Sequence, residues 1–248
     1  MTEKLRENND ELENRVLERT KEIQKANNEL ENFCYTVAHE LKAPLRAIEL
    51  YNTMILEESG EVLTEGAKKA ADMISSYCKK TLKLVSEILN YSKMKTKKFK
   101  LVKVRMDWLI KNTVEEFRFL NNGHKIEVES DELPVVLADE MLLRCCIHNI
   151  ISNAVKYSSK KDITKIRIAY EQNDKEHIFH ISDNGVGFDM EESGKLFQLF
   201  GRMHPDSEYE GNGIGLVTVK NIIEKHGGTL SLEAVEGEGC TVTFSIPK

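Results

Sequence analysis

No stretch of this sequence approaches the roughly 20 consecutive apolar residues that cross a bilayer, so no membrane-spanning helix is expected. The N-terminus is charged from Glu3 onward, which speaks against a secretory leader. Cysteine is sparse. The five, at 34, 78, 145, 146 and 240, follow no metal-ligand spacing. Their odd number and scatter point to reduced thiols in the cytoplasm. Basic residues are not in excess: a net charge of −6 leaves no electrostatic footprint for nucleic acid. Up to residue 96, proline occurs only as Pro44 and glycine only as Gly60 and Gly66. That scarcity excludes a turn-rich β fold in the first part and points to long helices.

Hydrophobic spacing supports the same reading. Leu5, Leu12, Val16, Ile23, Leu30, Phe33 and Val37 advance mostly in steps of three, four or seven, with Glu, Lys, Arg and Asn between them. This is a heptad seam. Ala70, Ile74, Tyr77, Thr81, Leu84, Ile88 and Tyr91 form a second one, and SGEVLTEG (59–66) fits the connection between the two helices. Two such helices bury too little apolar surface alone. Two copies would close a four-helix bundle, so a homodimer is expected; an intramolecular coiled coil packed on the second half is the alternative. Residues 1–32, polar outside their seam, read as a coiled-coil connector from an upstream module or as a plain extension of the dimer.

Beyond residue 96, glycine and period-two alternation become frequent. Strands are expected at FKLVKVRM, HKIEVES, PVVLAD, TKIRIAYE and EHIFHISD, with a closing hairpin in GTLSLEAVEGEGCTVTFSIP. Helices are expected over about 107–120, 139–157, 191–199 and 214–226, the last ending at Gly227-Gly228. The second has an apolar face of Met141, Leu142, Cys145, Cys146, Ile147, Ile150 and Val155. Strict βαβ alternation is lacking, which argues for helices layered on one face of a mixed sheet.

Four stretches in this half carry candidate chemistry. In HNIISNAVKYSS (148–159), Asn149 and Asn153 share a helix face, with Lys156 on the same side. Amide oxygens suit hard cations such as Mg²⁺, and a lysine suits phosphate; a solvated polar stripe would look the same. In ISDNGVGFD (181–189), a strand delivers Asp183 to a turn holding Gly185 and Gly187. A carboxylate there can accept from an exocyclic amine such as that of adenine, although Asp-Asn-Gly is also an ordinary hairpin signal. KLFQLFGRMH (195–204) offers Phe197 and Phe200 as a core patch, with Arg202 placed to meet an anion. EGNGIGL (210–216) sets Gly211, Gly213 and Gly215 before a helix, where free N–H groups bind phosphate. No Gly-Lys-Ser/Thr follows, so this is not a Walker A loop.

Taken in this order, the four stretches resemble the nucleotide-binding domain of sensor histidine kinases, related to type II topoisomerases, heat-shock chaperones and mismatch-repair ATPases. AHELKAPL (38–45) resembles the phosphoacceptor box of the same kinases. The resemblance implies an all-α dimeric helical hairpin followed by an α/β two-layer sandwich that binds ATP and Mg²⁺. The domains would be a linker over 1–32, a dimerisation and phosphotransfer domain over 33–95, and a catalytic domain over 96–248.

By the same resemblance, His39 accepts the γ-phosphoryl group with Glu40 as acid–base partner, and Pro44 would bend the helix to expose the imidazole. Asn153 is the Mg²⁺ ligand, with Asn149 beside it. Lys156 contacts phosphate, Tyr157 packs on the base and Asp183 accepts from the adenine amine. Gly185 and Gly187 let the base approach, Gly213 and Gly215 free the lid that Arg202 helps close, and Gly211 is a further nucleotide-binding residue. The partner implied is the receiver domain of a response regulator. Ala43 stands where the commonest box has threonine or asparagine, which implies weak phosphatase activity. An ATPase conformational switch without phosphotransfer, and a dimeric adaptor that has lost ATP, are the other two classes the chain could serve.

Overall fold

The computed structural model describes residues 2–59, 62–96, 99–120, 124–201, 203, 208, 209 and 211–248, with fewer side chains described within the helices. The chain forms two compact units, Met1–Thr96 and Lys97–Lys248.

The first unit is a helical hairpin of α1 (Thr2–Ser59) and α2 (Glu65–Thr96). Thr64 caps α2: its Oγ accepts from the Ala67 N–H at 3.2 Å, satisfying one of the orphan donors at a helix start. The helices meet along small residues. Ala38, Ala71, Cys78, Val85 and Leu89 are buried, and Ala38 clusters with Val85 and Leu89. This α2 seam lies one position beyond the one read from the sequence. Ile74 and Tyr77 of the expected seam are exposed, as are Val37, Leu41, Ile48, Tyr51 and Ile55 on α1. Each helix therefore carries two adjacent seams, one closed within the hairpin and one open. Asn52 sits in the closed seam and donates to the Ala71 carbonyl at 2.7 Å and the Ser75 hydroxyl at 2.8 Å. A buried amide paired across two helices opposes any slip in their register. Pro44 neither ends nor interrupts α1, which runs through it. It removes only the N–H that the Glu40 carbonyl would accept.

The second unit is a two-layer α/β fold. A five-stranded sheet runs β2 (Lys125–Ser130), β4 (Ile163–Gln172), β5 (Glu176–Asp183), β7 (Gly239–Pro247) and β6 (Leu230–Val235). Only β2 and β4 pair in parallel. Period-two alternation puts Ile166, Ile168, Phe179, Ile181, Val242, Phe244 and Ile246 on the buried face. Phe179 and Phe244 stack at 5.0 Å at its centre. On the other face, Ser182 pairs with Thr241 at 2.8 Å and His180 with Thr243 at 2.9 Å.

β1 (Val102–Arg105) and β3 (Val135–Ala138) form a separate antiparallel pair. Three helices complete the unit: α3 (Met106–Leu120), α4 (Glu140–Tyr157) and α5 (Gly215–Lys225), with α4 packed on both others. Asp139 caps α4 by accepting from the Leu142 N–H at 3.1 Å. After α5, Gly227 adopts φ 79° and the Gly228 N–H returns to the Ile223 carbonyl, the left-handed stop expected from Gly-Gly.

Three readings need correction. The helix expected at 191–199 is a 3₁₀ segment, Met190–Lys195. Met141, assigned to the apolar face of α4, is 65% exposed, because it lies on the outer side of the helix with Arg144 and His148, while Leu142 and Leu143 of the same turn are buried. Phe200, assigned to a core patch, is 57% exposed and holds φ 67°.

Candidate active site

The first unit presents one candidate reactive group. His39 lies on the exposed surface of α1, its Nδ1 3.6 Å from Oε1 of Glu40, with the two side chains 70% and 77% exposed. Neighbours on a helix do not normally face each other, and the rotamers here bring the two groups nearly together. The separation exceeds a hydrogen bond, but a small rotation closes it. His39 needs no kink to reach solvent, since its helical position already puts it there. Ala43, one turn later, is exposed too.

The second unit holds a pocket between α4 and the sheet, with a closed volume of about 50 Å³ that opens to solvent. Its walls are mostly apolar, including Ile150, Ala154, Ile181, Leu196, Leu232 and Val242, with Asn153, Tyr157, Asp183 and Gly187 among them. Asp183 ends β5, and its Oδ1 accepts from the Gly185 N–H at 2.8 Å. Burial pushes its carboxyl up to about 6, against the pull of the Gly185 and Cys240 N–H groups. Gly187 turns at φ 58°, and a Cβ there would lie 1.9 Å from the Val235 carbonyl oxygen, so no side chain fits.

Of the remaining expected residues, Asn149, Lys156, Gly211 and Gly215 gather along the second half of α4, outside these walls. Nδ2 of Asn149 donates to the Cys145 carbonyl at 2.7 Å, leaving Oδ1 to face the start of α5. A Cβ on Gly215 would come within 3.0 Å of that oxygen. Lys156 holds its ammonium 4.0 Å from the centre of the Tyr157 ring, and a Cβ on Gly211 would lie 2.9 Å from Nζ. Gly213 accepts from the Phe200 N–H at 3.2 Å. Arg202 lies outside the described residues.

The donor set fits a hydrated cation with phosphates. Asn149 presents an oxygen rather than an NH₂, Asn153 lies one turn further along α4, and Lys156 supplies positive charge beyond them.

Two residues of the site escaped the sequence reading. Cys240 lies opposite Asp183 in the β5–β7 register and lines the cavity. Burial, then the nearby Asp183 charge, pushes its thiol up to about 12, so it remains protonated near neutral pH. The inward alternation of Val242 and Phe244 along β7 could have flagged it. Tyr209, buried, packs on Tyr157 at 5.4 Å between ring centres and receives the Lys160 ammonium at 4.4 Å. No local sequence signal marks it.

Known proteins agree with this architecture. Residues 29–97 match the His Kinase A (phospho-acceptor) domain, and residues 138–248 match the histidine kinase-, DNA gyrase B- and HSP90-like ATPase. The chain is 31% identical over 225 residues to the phytochrome-like protein Cph1 of Synechocystis, covering 91% of this chain and 30% of that protein. It is 27% identical over 244 residues to the sensor histidine kinase WalK of Bacillus subtilis, covering 91% and 38%. The chain thus spans about a third of the length of these relatives. Among solved structures, full-length ShkA in complex with AMPPNP shares the fold at a TM-score of 0.67 and 22% identity, over 87% of this chain and 45% of that one. The histidine kinase AdeS of Acinetobacter baumannii does so at 0.58 and 20%, over 84% and 97%. Among the described residues, no helix is long and apolar enough to cross a membrane. The chain belongs to the ATP-dependent histidine kinases and carries their phospho-acceptor domain followed by their ATPase domain.

Proposed function

We propose that this chain is the kinase core of a two-component signalling protein: it transfers the γ-phosphoryl group of ATP to His39 and then to an aspartate of a response regulator. The observation that carries this reading is Asp183, a buried carboxylate set in the wall of a mostly apolar pocket. An exocyclic amine gives that carboxylate a donor, and Tyr157 and Ile181 offer flat apolar contact. Asn153, with Asn149, would hold Mg²⁺, which when bound neutralises charge on the phosphate oxygens. Lys156 adds charge compensation from the protein itself.

In the transfer, a neutral imidazole nitrogen of His39 forms the new P–N bond as the bond to the bridging oxygen breaks and ADP leaves. The ring then carries a proton on its other nitrogen, and Glu40, its Oε1 3.6 Å from Nδ1, would take it. Incubation with γ-labelled ATP should give acid-labile, alkali-stable label on the peptide containing His39. Label on any other residue would overturn the assignment.

The partner of the hairpin is a second copy. Val37, Leu41, Ile48, Tyr51 and Ile55 on α1 continue onto Ile74 and Tyr77 on α2 as one exposed apolar band, and its heptad spacing fits closure into a four-helix bundle. Ile48→Asp combined with Ile74→Asp should halve the mass measured by sedimentation equilibrium. An unchanged mass would place the dimer contact elsewhere.

Phosphatase activity toward the receiver is proposed to be weak, because Ala43 offers no polar group one turn after His39. Ala43→Thr should speed loss of phosphate from the phosphorylated receiver about tenfold or more, a typical contribution of one positioned polar group. Rapid loss with the unaltered chain would contradict this.

A further inference from the structure

A buried imidazole lies on the far side of the nucleotide site, where the opposite ends of its two helices meet. His226 follows the last residue of α5 and is buried. Its Nδ1 lies 2.7 Å from the Ile222 carbonyl, so Nδ1–H donates. Its Nε2 lies 2.9 Å from the Asp139 backbone N–H, so Nε2 accepts. Together the two bonds admit one state, the neutral ring with its proton on Nδ1.

Asp139 is no passive neighbour. One carboxylate oxygen caps α4 at Leu142, and the other accepts from the Lys100 backbone N–H at 3.1 Å. The adjacent Phe99 sets its ring against His226 at 4.7 Å, edge to face. Three segments therefore converge on one imidazole: the start of the second unit, the N-terminus of α4 and the C-terminus of α5. α4 carries Asn149, Asn153 and Lys156, and α5 opens at Gly215 beside Asn149.

We infer that His226 is a positioning residue for the nucleotide site: it ties the N-terminus of α4 to the C-terminus of α5 and does so only while its ring is neutral. The inference rests on the nucleotide reading given above. A protonated ring would point an N–H at the N–H of Asp139, two donors facing each other in a buried place. The charged groups acting on the ring are Asp139 on α4, which favours the proton, and Lys225 on α5, which opposes it. Burial opposes it most, so the pKa is lowered from its ordinary 6.5. The sign follows. With the folded pKa depressed, the tie contributes fully above about 6.5 and weakens as pH falls below that value, where the unfolded chain takes up a proton that the folded chain resists.

Asp183 titrates near 6 in the same range, so a pH slope in the unaltered chain alone decides nothing. The decisive comparison is with His226→Gln, whose amide offers a donor and an acceptor that do not titrate, and with His226→Phe, which offers neither. The probe is a fluorescent adenine nucleotide with Mg²⁺, its affinity measured from about pH 5.5 to 7.5. Amide exchange across the first turn of α4 is followed in parallel. His226→Phe should bind about tenfold more weakly throughout, the effect of one stranded buried donor. His226→Gln should restore most of that loss near pH 7.5. On acidification the unaltered chain should lose several-fold more affinity than His226→Gln and exchange faster at Leu142 and Leu143. Parallel pH profiles for these two, or full affinity in His226→Phe, would overturn the inference while leaving the nucleotide reading intact. Absence of nucleotide binding by the unaltered chain would overturn the nucleotide reading, and unchanged protection of the α4 amides on acidification, measured relative to their intrinsic exchange at each pH, would then overturn the tie as well.

Discussion

His39→Gln is expected to abolish the acid-labile label while leaving the fold and the nucleotide affinity intact. The imidazole is solvent-exposed, so its removal opens no cavity. Glutamine is a good helix former, so α1 should persist. What disappears is the nucleophile, and an amide nitrogen cannot replace it, because its lone pair is delocalised into the carbonyl. The loss should exceed about three orders of magnitude in labelling rate, as expected when the attacking group itself is removed. The melting temperature should stay within the small range of surface substitutions. Nucleotide affinity should be unchanged, since every residue assigned to nucleotide binding belongs to the other compact unit. Persistent label would make His39 a bystander and place the acceptor on another residue. A drop in nucleotide affinity would mean that His39 also contributes to nucleotide binding.

How far the fold could be read depended on the size of the side chains carrying each pattern. On α2, Ile74 and Tyr77 stand out as a seam, and they line the open face. The closed seam one position on is built partly from Ala71 and Cys78, small residues that let two backbones approach but give a weak sequence signal. Two seams offset by one residue share one period, so spacing alone could not decide which closes within the chain. The sheet was more legible, because the central parts of β4, β5 and β7 largely alternate. Its strand order was not, since β1 reads as a strand yet leaves the main sheet to pair with β3. Asn52 and His226 were invisible as structural groups, because their partners lie far away in sequence.

The site divides in the same way. Asn149 and Asn153 were legible from helical spacing, and Asp183 from the strand that ends on it. Gly187 was legible because its surroundings exclude a side chain. Cys240 and Tyr209 were not, because each enters through a contact made by another element: β7 lying against β5, and the segment at Tyr209 packing on Tyr157. Pro44 misled. It suggested a kink that would uncover His39, whereas α1 is continuous and the imidazole is exposed through its place on the helix.

Asp183→Asn should separate binding from stability in a way that no structural residue would. The carboxylate is held in the cavity wall by the Gly185 and Cys240 N–H groups, and burial still raises its pKa to about 6. Near neutral pH the folded chain therefore carries an ionised group in a place that disfavours the charge. A folded pKa raised above the ordinary 3.8 means that this group weakens stability as pH rises through that interval, and the penalty is fully present above about 6. Asparagine removes the charge and keeps an oxygen for the backbone donors, so the melting temperature near pH 7 should hold or rise. Nucleotide affinity should fall. A hydrogen bond to a charged acceptor contributes about 1.5–3 kcal/mol, which corresponds to a loss of roughly ten- to a hundredfold. Discrimination should relax as well. A carboxylate rejects guanine, whose carbonyl would face it, whereas an amide can donate to that carbonyl. In the unaltered chain ATP affinity should weaken as pH drops through about 6 and the carboxylate gains its proton; in Asp183→Asn this component of the profile should vanish. Calorimetric titration with ATP and GTP across that range, paired with thermal melts, tests all of this at once. A variant that loses affinity and stability together would make Asp183 a scaffold residue, and one that keeps the ATP preference would move adenine recognition elsewhere in the cavity.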